Sequence, residues 1–262
     1  MESGGTTRFM FGLKSASNFD IGMELYAKFS RAQPELLAAR NLQRRADTKF
    51  ILSEASLVEL STALAKEFTA VGPPDLYQTL YFDTAELNLF HAHRCGRRLR
   101  HKIRIRNHPE RGRTFLEIKT KKNEFLTIKT RQNHPFNALV LADKDIEFIR
   151  AHTGLVSEVL PQVWTRYRRL TLLSLRTQER LTIDMELCVG RGETSQSFKQ
   201  MAIVEVKQAA FSRHTPVMEA LRNIGYRPAW ASKYCMAIIS NHNGLRFNRL
   251  LPGMRALEKA IL

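Results

Sequence analysis

The chain has 262 residues, 44% of them hydrophobic, and carries 41 Lys and Arg against 25 Asp and Glu, a net charge of +16. That is enough apolar material for a sizeable core, and the positive balance calls for an anionic partner: nucleic acid, an anionic membrane surface or a small polyanion. Three widely spaced cysteines (Cys95, Cys188 and Cys235) without a CxxC exclude a disulfide framework, and the absence of an apolar run of transmembrane length or of a secretory leader sets the expectation of a soluble cytoplasmic protein.

Residues 1–40 read as an N-terminal extension. Gly4, Gly5 and Gly12 suggest a flexible start. From Asp20 to Arg40, Ile21, Leu25, Phe29, Leu36 and Leu37 describe an interrupted amphipathic helix that could dock on the core or on a protein partner. Asn41 to Leu52 predicts a first strand, with Asp47 and Lys49 on one face and Phe50 and Leu52 on the other. Ser53 opens a helix with Leu57, Leu60, Leu64 and Phe68 at helical spacing, ended by Gly72-Pro73-Pro74. Leu76 to Asp83 is rich in strand formers, and Leu87 to Arg94 reads as a short irregular or helical link.

Arg97 to Arg131 is the most informative stretch. Arg98, Arg100, Lys102, Arg104 and Arg106 alternate with Leu99, His101, Ile103 and Ile105. Glu117, Lys119 and Lys121 then oppose Leu116 and Ile118, and Lys129 and Arg131 oppose Leu126 and Ile128. Period two is the strand period, so three antiparallel strands with one apolar and one ionised face are predicted. Cations at successive same-face positions repel, so something anionic belongs there. Downstream, Asp143 to His152 reads as a helix. Gln162–Leu173, Arg180–Val189 and Met201–Lys207 read as strands; Thr215-Pro216 opens a helix, Ser232–Ser240 is helical, and Leu250–Leu262 is a terminal helix.

Eight strands with an apolar and a charged face, and helices between them, bury best with helices on the apolar side. If the sheet closes, the charged faces line a lumen. The expected fold is therefore α+β: a closed eight-stranded antiparallel barrel over residues 41–240 with helices outside, and a helical tail over 241–262. The lumen set is Lys49, Arg104, Arg106, Lys119, Lys129, Arg131, Arg169 and Arg180 with Glu117, Asp184 and Glu205. Such a set suits a triphosphate, whose transfer relies on positioning and electrostatics. The competing reading is a solvated basic sheet face that grips nucleic acid or nothing.

The segments DTKF (47–50), LYFDT (80–84), KIRIR (102–106), LEIKTK (116–121), IKTR (128–131), LTID (181–184), VEVK (204–207) and SKY (232–234) resemble, in this order, the polyphosphate-polymerase domain of the vacuolar transporter chaperone (VTC) family, in the CYTH-like triphosphate tunnel metalloenzyme superfamily. The resemblance implies a tunnel binding ATP with manganese or magnesium and adding its terminal phosphate to a polyphosphate chain, with no specific nucleic acid as partner. It implies catalytic roles for Lys49, Arg104, Arg106, Lys119 and Glu205, and phosphate binding by Lys129, Arg131, Arg169, Arg180 and Lys233. Glu205 is the implied metal ligand; Glu117 and Asp184 are further candidates that fit salt-bridge roles better. Arg45, Asp47 and Lys49 stand where CYTH hydrolases carry ExExK, so the first acid is replaced by a base, which weakens a simple triphosphatase and a two-metal site. The alternatives are a triphosphatase of the same fold and a non-catalytic polyanion-binding module. His91, His93, Cys95 and His101 lack the spacing of a zinc site and are read as loop packing; Trp164 and Trp230 are read as core. No P-loop, HExxH or GxSxG motif occurs.

Overall fold

The computed structural model describes residues 21–39, 45–123 and 126–261. The glycine-containing start and residues 41–44 of the predicted first strand lie outside these residues.

In chain order the elements are α1 (Ile21–Tyr26), β1 (Ser30–Arg31), α2 (Pro34–Ala39), β2 (Ala46–Ser53), α3 (Glu54–Leu64), β3 (Phe68–Ala70), β4 (Asp75–Asp83), α4 (Asn88–Arg94), β5 (Arg100–His108), β6 (Arg113–Lys121), β7 (Thr127–His134), α5 (Asp143–Thr153), β8 (Leu160–Ser174), β9 (Glu179–Arg191), β10 (Thr194–Phe198), β11 (Met201–Gln208), α6 (Pro216–Asn223), α7 (Lys233–Asn241) and α8 (Leu251–Ile261). The eight strands expected from alternation form one hydrogen-bonded path, β2-β11-β9-β8-β4-β5-β6-β7, every pair antiparallel. The short strands β1, β3 and β10 hang off this path. Phe68 belongs to β3 rather than to the preceding helix, because Phe68–Ala70 pairs with both β1 and β8.

The expectation of a closed barrel is corrected: the path has two ends, β2 and β7, that do not pair with each other among the described residues. The sheet nevertheless curls. Lay it flat and β2 and β5 would stand about 24 Å apart, five steps of roughly 4.8 Å. Yet Lys49 of β2 and Lys102 of β5 donate to adjoining residues of one segment, the Ala231 carbonyl at 3.0 Å and Ser232 Oγ at 2.9 Å. Strand twist, with the segment before α7 bridging the gap, makes an open-sided tunnel.

Three apolar clusters hold this shape. On the outer face of β2, β9 and β11, residues such as Phe50, Leu52, Ile183 and Val204 pack against α3, α6 and Leu25 and Phe29 of the N-terminal extension. Outside β4–β6, Leu80, Ile103, Leu116 and Trp164 pack against Ile149 of α5. Gly190 lies opposite Trp164 in the ladder, and a Cβ there would sit 2.4 Å from its indole ring. A third cluster plugs one end of the tunnel, where Ile51, Leu187 and Ile203 meet Tyr234 and Ile238 of α7 and Leu257 of α8. Trp230 is half-buried beneath Gly253 of α8, where a Cβ would clash with it at 2.5 Å.

Within the predicted strand Arg180–Val189, where Arg180, Thr182, Asp184 and Glu186 alternate with Leu181, Ile183, Met185 and Leu187, the alternation breaks at Glu186, which has φ +53°. The register between β8 and β9 shifts there. Met185 stays with the outer cluster, while Leu187 and Val189 turn inward onto α7. The bulge thus converts the lumen face of β9 from ionised to apolar where the plug begins.

Candidate phosphate tunnel

The ladder registers decide which side chains share the lumen. Across β2, β11 and β9, Lys49 pairs with Glu205 and Glu205 with Thr182; Lys207 pairs with Arg180. Asp184 stands opposite Arg169 on β8, and Tyr77 of β4 opposite Tyr167. Arg104 stands between Tyr81 and Glu117, Lys102 opposite Lys119, Glu117 opposite Arg131, and Lys119 opposite Lys129. Every strand residue in the sequence-derived lumen set therefore falls on one face of the curled sheet. Lys233 enters from the first position of α7 and binds Asp184.

Around Glu117 and Asp184 the charges are balanced. Glu117, 2% exposed, receives Arg104 at 2.7 Å, Lys129 beside it and Arg106 at 3.6 Å. Burial alone would raise its pKa, but Arg104, Arg106 and Lys129 overcome this and hold the carboxyl well below the usual range. Asp184 is buried between Arg169 at 2.5 Å and Lys233, and is held low in the same way against its own burial. Tyrosine rings set the guanidiniums. Arg106 lies 5.3 Å and Arg169 5.0 Å above the Tyr77 ring, which stacks on Tyr167 at 5.3 Å, and Lys233 is 4.4 Å from the Tyr167 ring. Arg180 sits beyond them with its Nε buried and without a hydrogen-bond partner. At this mouth a cavity of about 220 Å³ is lined by Asp75, Tyr77, Arg169 and Thr171.

Next to this region lies one where cations outnumber acids, with Glu205 and Asp47 acting on Lys119 only at a distance. Lys102 and Lys119 face each other and make no ion pair among the described residues. Burial, then the charges of Lys102 and Lys49, push the Lys119 ammonium down to about 7. Burial is again the main cause that brings Lys102 down to about 8. Ammonium groups so unfavourable in the free protein are groups that an anion would stabilise.

Glu205, the implied metal ligand, stands between two lysines. It pairs with Lys207 at 2.5 Å and Lys49 at 3.6 Å, and among the described residues no group of three His, Cys, Asp or Glu side chains is placed to hold a metal ion. Burial would raise its pKa, but the two lysines keep it far below the ordinary value. An ionised carboxylate of this kind can complete the shell of a divalent ion whose other ligands are phosphate oxygens and water, the usual way magnesium is held. Arg45 binds Asp47 at 2.9 Å, so the acid of the first strand is itself occupied.

Sequence reasoning left out Lys102, Lys207 and the three tyrosines. Lys102 and Lys207 could be found from the alternation alone. The tyrosines could not, because a Tyr at an inward strand position is ordinary core. The histidine group does not converge on a metal: His93 Nε2 meets the His101 carbonyl at 3.0 Å and His101 Nδ1 meets Thr120 at 2.9 Å. A cavity of about 1100 Å³ lies outside the tunnel between α5 and the start of β8, lined by apolar residues such as Leu139, Ile149 and Val159. It holds none of the lumen cations.

A family model described as the VTC domain matches residues 44–242. No curated protein matches the sequence. Among solved structures, a Hippeastrum protein described as an adenylyl cyclase with a dominant triphosphatase activity is similar over 78% of this chain and 99% of its own, at 17% identity and a TM-score of 0.49. A Bacillus halodurans protein described as an adenylate cyclase is similar over 72% of this chain and 94% of its own, at 14% identity and a TM-score of 0.48. An RNA triphosphatase of Schizosaccharomyces pombe covers 87% of this chain and 93% of its own, at 9% identity and a TM-score of 0.27. No helix among the described residues is long and apolar enough to cross a membrane.

Proposed function

The chain belongs to the VTC domain family, and from that premise we propose that it is a phosphotransferase that moves the terminal phosphate of ATP onto a polyphosphate chain inside the tunnel. The observation that supports this most directly is the imbalance of the lumen: Lys102 and Lys119 face each other with no carboxylate partner, beside arginines already fixed by Glu117 and Asp184. A run of phosphates supplies the missing negative charge along the whole wall, and a single anion does not.

In this reading Arg104, Arg106 and Arg169 bind phosphate oxygens with forks already oriented by carboxylates and tyrosines. Lys49, Lys119, Lys129, Arg131, Arg180 and Lys233 add charge along the chain. Transfer needs donor and acceptor phosphates in line and the developing charge neutralised, so no side-chain nucleophile is required. A manganese or magnesium ion arriving with the nucleotide would supply Lewis-acid stabilisation, with Glu205 as its protein ligand once the phosphates draw Lys49 and Lys207 away. The tunnel excludes bulk water on most sides, which favours a phosphate acceptor over hydrolysis.

The test is to incubate purified protein with ATP and manganese and analyse the products. ADP together with long-chain polyphosphate is expected. Free phosphate without polymer would replace this reading by a triphosphatase, and salt-sensitive polyphosphate binding without turnover would replace it by a binding module. Glu205→Ala is expected to abolish metal-dependent turnover and leave part of the phosphate affinity, whereas Arg104→Ala should weaken triphosphate binding itself.

A further inference from the structure

The cations of the tunnel do not stop at its rim. The inward column of β5 runs Arg106, Arg104, Lys102 and then Arg100, which pairs across the ladder with Lys121. Arg100 donates to the Arg97 carbonyl at 2.6 Å, and Arg97 is exposed. His93 of α4 lies beside this column, close enough to Lys102, Arg100 and Lys119 to feel each charge after the larger effect of its own burial. One residue on, Arg94 donates to the Arg246 carbonyl at 2.8 Å, and Arg249 donates to the Cys95 carbonyl at 2.8 Å. These contacts tie α4, the start of β5 and the segment before α8 into one exposed basic surface.

None of these surface cations has a carboxylate within ion-pair distance among the described residues. The ion pairs in those residues lie in the lumen, at the Asp75 mouth, on β2 or among the outer helices and turns. The guanidiniums of Arg94, Arg100 and Arg249 are held by backbone carbonyls instead, which fixes their position and leaves their charge uncompensated. An ordinary solvated surface intersperses both signs. A one-signed surface that continues the Lys102–Lys119 part of the lumen along β5 attracts a ligand that occupies both.

We propose that this surface, built from Arg94, Arg97, Arg100, Lys121, Arg246 and Arg249, is a second binding site for linear polyphosphate, taking the part of a chain that has outgrown the tunnel. The proposal rests on the phosphate reading of the lumen and extends it: the lumen holds the reacting end, and the surface holds the distal length. A chain bound at both places gains the effective concentration of a tethered ligand, so affinity rises with chain length beyond what the lumen accommodates. Tripolyphosphate, which fits inside, does not reach the surface.

The test compares tripolyphosphate with long-chain polyphosphate by calorimetry, on the full chain and on Arg97→Ala/Arg246→Ala/Arg249→Ala. These three side chains are exposed, and a thermal melt of the variant confirms that it folds. The variant is expected to bind long-chain polyphosphate at least about tenfold more weakly, with a shallower salt dependence, and tripolyphosphate unchanged. The corresponding Arg→Lys triple variant should keep most of the long-chain affinity. Equal long-chain affinity in the alanine variant and the parent would overturn the surface site. So would a variant that loses only phosphatidylserine vesicles or only single-stranded RNA, which would assign the surface to one of those. Failure of tripolyphosphate to bind the parent protein is a separate result, and it overturns the lumen reading.

Discussion

Around Glu117 and Asp184 the tunnel wall sets Arg104, Arg106, Lys129, Arg169 and Lys233 against two buried carboxylates. Around Lys102 and Lys119 it sets ammonium groups against each other, and neither has an ion-pair partner among the described residues. The first region is complete without a ligand: its cations are hydrogen-bonded, stacked on tyrosines and held in one geometry. The second is strained by its own charge until something anionic arrives. Preorganised forks give orientation, and an uncompensated cluster gives driving force. A tunnel that must grip phosphate and still let it move has use for both.

The largest expected effect separates the two regions by the sign of a stability change. Glu117→Gln removes the acid that holds Arg104, Arg106 and Lys129, leaving cations buried and unpaired. That should cost about 3–5 kcal/mol of folding stability in a urea titration. Lys119→Met removes a buried, unpaired cation and should instead raise the stability of the free protein. If both variants are destabilised alike, the two regions do not differ as described.

Lys119→Met should also weaken tripolyphosphate binding by roughly tenfold to a hundredfold, the cost of losing one charge-assisted contact. The combination of higher stability and lower affinity is the signature of a group held for its ligand. A fall in both would place Lys119 among the structural residues.

The pH dependence follows from the same lysines. Lys119 and Lys102 lose their protons in the free protein near about 7 and about 8, well below the ordinary value of 10.5. An unfolded chain keeps those protons to higher pH, so between roughly pH 7 and 10 the unfolded state binds more protons and stability rises with pH. Bound phosphate favours the charged lysines, so binding takes up protons over this range. Tripolyphosphate affinity should fall by about tenfold per pH unit between pH 8 and 9 for each lysine that must be reprotonated. Calorimetry in buffers of different ionisation enthalpy would count the protons; a count of zero would remove the uncompensated cluster from the binding step.

The strands of this wall were legible in the sequence because a polar lumen forces period-two alternation on residues that must also cover a core. KIRIR, LEIKTK and VEVK each show it, and the registers bear it out. Closure was not legible. Alternation says which face a side chain takes, but not whether β2 and β7 meet, and the gap is bridged by the irregular segment before α7. Glu186 escaped for a related reason: a bulge is a backbone event, and Glu186 continues the charged column of β9 perfectly well on paper. The ion pairs of Glu205 depend on Lys207, two residues away on the same face, and a pattern that names both does not say that they neutralise each other.

The smallest effect is expected at Tyr77, and it tests whether the two regions act separately. Its ring lies under Arg106 and Arg169 and stacks on Tyr167. Two cation–π contacts of about 0.5–1 kcal/mol each imply that Tyr77→Leu weakens tripolyphosphate binding by roughly fivefold to thirtyfold, because the guanidinium forks lose the surface that orients them. Tyr77→Phe keeps the ring and should bind as the parent does. Neither change touches Lys102 or Lys119, so the fall in affinity between pH 8 and 9 should survive Tyr77→Leu and shrink in Lys119→Met. A Tyr77→Leu variant that flattens the pH profile would mean that arginines and lysines titrate as one network, and the division of the tunnel into an orienting part and an attracting part would have to be given up.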